Sequence, residues 1–302
     1  MTNLVQHVCV CICTYKRRPF LTRLLAELAA QETGGLFTYS VVVADNDRDR
    51  SAERVVDEFV AGGSNMHVAY CVQPKQNIAL TRNTAIAQAA GDFIAFIDDD
   101  EWPTRGWLRA LFTACRDCDA DGALGPVKPH YDVAPPAWVV DGRFYDRPTY
   151  PTGFVIDWRK GRTGNTFLKR RVFDGDEQPF RPEFLTGEDQ DFFRRAIDKG
   201  YVFVWCNEAV AYETVPPIRW TRTFMVKRAL LRGAVSLAHP TARWAAIAKS
   251  VIAAPLYTAA LPFALALGQG RFMTCLIRLF DHVGRLLAVV GVKPIRQPYV
   301  TE

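Results

Sequence analysis

From residue 8 to residue 97, unbroken apolar runs alternate with segments in which apolar residues return every three or four positions. Val8 to Cys13 reads as a strand, and beyond a polar turn Leu21, Leu24, Leu25 and Leu28 lie at helical spacing. The exchange repeats. Ser40 to Ala44 precedes Val55, Val56, Phe59 and Val60 on one helical face, Val68 to Val72 precedes a helix over 80–90, and Phe93 to Ile97 is a further strand. Strands and helices alternating at this length predict an α/β chain whose Rossmann-like, mostly parallel sheet is covered by helices on both faces. In such sheets ligands bind beyond the carboxyl ends of the strands, which singles out Thr14 and Tyr15, then Asp45, then Asp98 to Asp100. The first turn, TYKRRP, has no GxGxxG, which argues against a dinucleotide site and leaves a mononucleotide open.

The second half is patterned differently. Residues 127–186 are rich in proline, glycine and aromatic residues and predict loops and short strands, with a helix over Glu188 to Lys199 and an apolar run from Tyr201 to Cys206 closing the body. Charge then divides the chain into a body, 1–220, and a helical C-terminal segment, 221–302. After Pro217 there are twelve Lys or Arg against Asp281 and Glu302, leaving 25 basic and 30 acidic residues upstream. Ser250 to Gly270 carries no charge and approaches the ~20 residues of a spanning helix, although Pro255 and Pro262 weaken that reading. Over 271–287, Arg271, Thr274, Arg278, Asp281, His282 and Arg285 share one helical face and apolar residues fill the rest, as in an interfacial helix. A buried hairpin docked on the body fits the apolar pattern too. The cationic bias favours a membrane, since each Lys or Arg near an anionic leaflet contributes ~1 kcal/mol, and the apolar content favours lipid over nucleic acid. Without a leader-like N-terminus, the expected location is the cytoplasmic face of the cell membrane. Cys115 and Cys118 form a CxxC with no second pair or histidine cluster, so the eight cysteines are expected to be inert thiols.

Two acidic runs carry the chemistry. GDFIAFIDDDEWP sets four acids after a nearly uncharged strand, more than capping a following helix requires. In an extended strand end Asp98 and Asp100 share a face while Asp99 points elsewhere, and hard oxygen ligands so arranged suit Mg²⁺ or Mn²⁺ carrying a substrate diphosphate. LTGEDQDFFRRAIDKG reads as a helix entry with Thr186 as a possible N-cap. A carboxylate there stays ionised, as a general base must, and Asp189 is the candidate, with Glu188 as a substrate-contacting neighbour and Asp191 structural.

With these residues in hand, the chain resembles family 2 glycosyltransferases of the GT-A fold, in particular those of bacterial exopolysaccharide assembly of the succinoglycan type. The resemblance runs from about Val8 to Trp220 and rests on CTYKRRPFLTRLL, VVVADND, QNIALTRNTAI, FIDDDEWP, RTGNTFLKR and TGEDQDFF in the family's order. It implies an inverting transferase moving a sugar from a UDP-sugar, glucose foremost, to a hydroxyl of a lipid-linked or other saccharide acceptor. It further implies that Thr14, Tyr15, Arg17, Asp45, Asn77, Arg82, Asp98 and Asp99 bind the nucleotide sugar, and that Asp98 and Asp100 hold the Mg²⁺ or Mn²⁺. Asp189 and Glu188 are then the catalytic pair, and Trp220 and Asn165 the acceptor contacts. The chain departs from the family pattern at AYETVPP, where Glu213 stands near a common histidine, and at Pro216, which replaces the glutamine of QxxRW ahead of Arg219 and Trp220. That departure favours transfer of a single residue over processive polymerisation. A nucleotidyltransferase of similar topology and an inactive sugar-binding subunit are the competing readings.

Overall fold

The structure is a computed structural model that describes residues 5–184, 187–237 and 243–292. Its elements follow the alternation in the sequence: β1 (Gln6–Thr14), α1 (Arg18–Ala29), β2 (Phe37–Asp45), α2 (Glu53–Ala61), β3 (Val68–Val72), α3 (Ile78–Gln88) and β4 (Phe93–Phe96). Then come β5 (Glu101–Pro103), α4 (Trp107–Asp117), β6 (Gly122–Leu124), β7 (Val127–His130), the single turn α5 (Ala137–Asp141), β8 (Thr166–Lys169), α6 (Glu188–Asp198), β9 (Phe203–Trp205) and β10 (Ala211–Thr214). Three helices end the chain: α7 (Arg222–Val235), α8 (Arg243–Ala266) and α9 (Gln269–Val289).

The chain divides into two compact units, one of residues 1–129 and 147–214, the other of 130–146 and 215–302. In the first, seven strands form a sheet in the order β3-β2-β1-β4-β8-β6-β9. Every pairing is parallel except those of β8, which runs antiparallel to both β4 and β6. The strands of such a sheet must be apolar on both faces, and they are. Val8, Val10 and Ile12 pack with the buried Leu21, Leu24, Leu25 and Leu28 of α1, while Cys9 and Cys11 point to the opposite core with Ala85, Ile86, Phe180 and Phe192. Register decides where the chemistry collects. Thr14 lies beside Asp45, so β1 and β2 end level, whereas β4 stops at Phe96 beside Cys11. The acids after β4 therefore occupy a turn, closed by the Glu101 N–H donating to the Asp98 carbonyl at 3.0 Å, and not the extended strand end expected from the sequence. A small sheet, β5-β10-β7, in which β5 and β10 run antiparallel, follows that turn and sets Glu101 directly opposite Glu213.

In the second unit α9 packs against both α7 and α8. Gly233 of α7 and Gly284 of α9 let two backbones approach so closely that a Cβ at either would collide with a carbonyl of the facing helix. Arg232 pairs with Asp281, and the Ser250 hydroxyl meets His282 at 3.0 Å and Arg285 at 2.8 Å. Met273, Cys275 and Leu279 are buried by these contacts, while Phe272, Leu276, Ile277, Phe280, Val283, Leu286 and Leu287 stay half-buried, so the apolar side of α9 is covered in part within the unit. The exposed apolar surface belongs to α8. Trp244–Ala266 is long and apolar enough to cross a membrane, with a mean hydropathy of 1.4, and continues through Pro255 and Pro262. Trp244, Ile252, Leu256, Phe263 and Leu267 on and just beyond it are exposed. Lys293 and Arg296 lie outside the described residues.

Candidate active site

At the carboxyl ends of β1, β2 and β4, three successive turns bring their polar residues together. Thr14 closes β1 and donates its hydroxyl to Asp99 at 2.8 Å, and Arg17 reaches the same carboxylate at 2.9 Å and Asp100 at 3.2 Å. Asp99 is thus locked inside the turn, and burial raises its pKa to about 6 against the opposing pull of Arg17. Asp98 is the most open of the run, with its side chain 45% exposed. Desolvation raises its pKa, Arg82 opposes the shift and Asp100 adds to it.

Arg82 joins the two acidic runs. It sits on α3, which Asn77 starts by accepting the Leu80 N–H at 3.1 Å. Its guanidinium forms a close ion pair with Glu188, the first residue of α6, and lies 3.7 Å from Asp98. Burial alone would lower the pKa of this arginine, but Glu188 and then Asp98 reverse the sign and raise it. The two acidic runs, 87 or more residues apart in sequence, share one cation.

At the start of α6, Gly187 in the left-handed region (φ 83°) precedes Glu188, and Thr186 lies outside the described residues. Helical rotation separates the acids that follow. Asp191 turns fully inward to Arg195 at 2.8 Å, with Arg194 and Arg181 nearby. Asp189 has no ion pair among the described residues and accepts only the Gln190 N–H, at 2.7 Å. Burial and then the adjacent Glu188 raise its pKa to about 6, which leaves it ionised at neutral pH. A helix N-terminus favours the charged form, but desolvation outweighs it here.

Beneath Asp98 lies Glu101, almost wholly buried and without a hydrogen bond to either carboxylate oxygen among the described residues. Burial, and then Asp98, raise its pKa well above the ordinary range, while Arg147 at 3.8 Å pulls the other way. Arg147 also pairs closely with Glu213 and so offsets part of the repulsion between the two glutamates that face each other across β5 and β10. No cage of three or more His, Cys, Asp or Glu side chains exists among the described residues. The donor set is instead two or three carboxylate oxygens in excess of local positive charge. That fits Mg²⁺ or Mn²⁺, which take one or two carboxylates and complete their shell with water and phosphate.

Other residues singled out in the sequence are engaged within the protein. Asp45 is fully buried and accepts from the Asp47 and Ala52 N–H groups and the Tyr70 hydroxyl, so it shapes the 46–52 loop. The Asn77 side chain also donates to the Pro182 carbonyl at 2.9 Å. Asn165 is wholly buried, donates to the Pro126 and Ala209 carbonyls and accepts from Trp107, leaving none of its amide for an acceptor. Tyr15 is half-buried beside the Lys16 ammonium. Trp220 belongs to the second unit, where its ring packs on Tyr131 at 5.7 Å. Arg147 is the residue the sequence did not announce, because its partners lie 46 and 66 residues away. The cysteines are free thiols, and Cys115 has its pKa pushed up to about 12 by burial.

A family model described as glycosyl transferase family 2 matches residues 9–185. Over 98% of this chain and 97% of its own length, the succinoglycan biosynthesis protein ExoM of Rhizobium meliloti is 32% identical. Among solved structures, a Pyrobaculum calidifontis mannosyltransferase in complex with GDP-Man and Mn²⁺ superposes with a TM-score of 0.64 at 17% identity, covering 96% of this chain and 89% of that one. Staphylococcus aureus TarS in complex with UDP gives 0.52 at 17% identity, over 96% and 93% of the two chains.

Proposed function

This chain belongs to glycosyl transferase family 2 and is a glycosyltransferase of the GT-A fold, and from that premise we propose that it transfers one sugar, with inversion, from a UDP-sugar to a hydroxyl of a lipid-linked saccharide. The observation that carries the reading is Arg82, one buried cation facing both the strand-end acid Asp98 and the helix-start acid Glu188. Opposite poles of the reaction need such a meeting: a seat for the leaving diphosphate and a carboxylate for the attacking alcohol.

In this proposal Thr14, Tyr15 and Arg17 line the nucleotide end, while Asp45 and Asn77 hold the loops that shape it. Asp98 and Asp100 would hold Mg²⁺ or Mn²⁺, with Asp99 fixing their turn. Bound there, the ion offsets negative charge on the diphosphate as it leaves. Asp189 takes the proton of the acceptor hydroxyl as its oxygen bonds to C1 of the sugar. The C1–O bond to the diphosphate breaks on the opposite face, and its electron pair departs with UDP. Glu188 keeps Arg82 aligned on the donor side.

The exopolysaccharide relative suggests a polymer precursor as acceptor and glucose as the sugar. Exposed apolar residues on α8, together with the basic C-terminal segment, support attachment to a membrane, at the cytoplasmic face where nucleotide sugars are made.

Incubating the full chain with a panel of nucleotide sugars and Mn²⁺ tests the reading. UDP-glucose should be consumed fastest, with UDP released. If no UDP-sugar is turned over and calorimetry finds no metal-dependent UDP binding, the donor assignment fails.

A further inference from the structure

Beside the acidic cluster, and sharing only Arg147 with it, lies a cavity of about 130 Å³. Four cationic side chains line it, Arg147, Arg159, Lys160 and Arg162, along with Tyr150 and Trp205. Its floor is the far half of the sheet, where Leu124 of β6 pairs with Trp205 of β9, away from the β1–β2 end that carries Thr14 and Asp45. Gly164 joins the cavity to the cluster: a Cβ there would stand 2.9 Å from both Asp98 and Glu101.

The cations are unevenly neutralised. Arg147 is matched by Glu213 and Glu101, and Arg159 by Asp157 at 3.2 Å. Lys160 and Arg162 have no carboxylate partner among the described residues. The Lys160 ammonium lies 5.8 Å from the Tyr150 and Phe154 ring centroids, which fixes it without cancelling its charge. Arg162 opens to solvent on one side, and desolvation followed by repulsion from Arg147 lowers its pKa. Trp205, only 6% exposed, closes the wall with its ring.

Two cations without a carboxylate partner, lining one cavity, call for an oxyanion. The size limits what enters, because sites that enclose whole ligands are about 300–1,000 Å³. We propose that this cavity is the acceptor's anion subsite, in which Lys160 and Arg162 grip a phosphate or carboxylate carried by the acceptor while its hydroxyl faces the acidic cluster. The proposal rests on the transferase reading for the word acceptor, and on the cavity alone for the anion. It gives the enzyme a means of choosing among saccharides, because a neutral sugar leaves the two cations unsatisfied.

The test separates this subsite from the donor site. With the full chain saturated with UDP and Mg²⁺, calorimetry is run with inorganic phosphate and with methyl glucuronide, against neutral methyl glucoside. Either anion should bind while the glucoside does not. Phosphate alone points to a phosphorylated carrier, the glucuronide alone to an acidic sugar. Lys160→Ala combined with Arg162→Ala should weaken anion binding at least about tenfold and leave UDP affinity unchanged, which also reports an intact fold, and Arg162→Lys should restore part of the loss. If neither anion binds the UDP-saturated protein, or if the double variant weakens UDP as much as it weakens the anion, the subsite is overturned. Absence of UDP binding in the wild-type chain would instead count against the donor assignment.

Discussion

The turn Asp98–Glu101 and the helix start Glu188–Asp191 are both short acidic runs, yet their backbones dispose of the charge differently. The turn bunches its carboxylates: Asp99 goes inward to Thr14 and Arg17, Asp98 stays open, and Glu101 is buried beneath it with no side-chain hydrogen bond among the described residues. The helix start disperses its own. Glu188 goes to Arg82, Asp191 to three arginines, and among the described residues Asp189 alone of the three finds no ion pair. Bunched acids make a seat for a cation, whereas a dispersed set isolates one base. Role follows from how each backbone turns its side chains, not from the number of acids.

The sharpest way to break this contrast is Asp189→Asn. A positioned general base contributes ~10²–10⁴-fold, so transfer from UDP-glucose should fall by about that factor while UDP affinity holds. Turnover near the wild-type rate would take the base away from Asp189. On the other side, Asp100→Ala should reduce Mn²⁺-dependent UDP affinity by at least about tenfold, in the range typical of lesions at metal sites. Titration with and without Mn²⁺ reads this directly, and an unchanged affinity removes Asp100 from the metal.

Asp191→Ala tests the contrast inside the helix start. Removing one side of a buried ion pair typically costs ~3–5 kcal/mol, so urea unfolding should shift strongly while the folded fraction still binds UDP. A stable variant that cannot turn over substrate would instead make Asp191 part of the chemistry.

The framework of strands and helices was legible because burial on both faces of a parallel sheet forces apolar runs, and Leu21, Leu24, Leu25 and Leu28 mark their helix without ambiguity. The meeting of the acidic runs was legible only as an expectation carried by motif order. What periodicity could not supply was the turn after Phe96, which depends on β4 ending three registers short of β1. Nor could it supply Asn165, whose left-handed backbone (φ 59°) turns the amide into the core instead of toward substrate. Arg147 and its neighbours lie in a segment with no repeat to read, although RPTYPTGFVIDWRKGR is visibly rich in cations. On α9 the helix was readable, but an apolar face does not say whether a helix or a lipid covers it.

The smallest expected effect links the base to stability. Asp189 has a folded pKa of about 6, above its ordinary 3.8, so the folded state resists its ionisation. The sign follows: the stability this group lends is complete below pH ~4 and is lost as pH rises through about 6. Asparagine cannot ionise and still accepts the Gln190 N–H, so Asp189→Asn should melt higher than the parent at pH 7.5, with the advantage much smaller at pH 4.5. Discounted for solvent screening, the gain is about 1 kcal/mol, or ~2–4 °C for a chain of this size. Activity runs the other way, because the wild-type kcat/KM should drop about tenfold per pH unit below 6 as the base is protonated. A melting difference that stays constant across pH would show that burial does not hold this carboxylate poised, and the isolation of Asp189 would lose its physical cause.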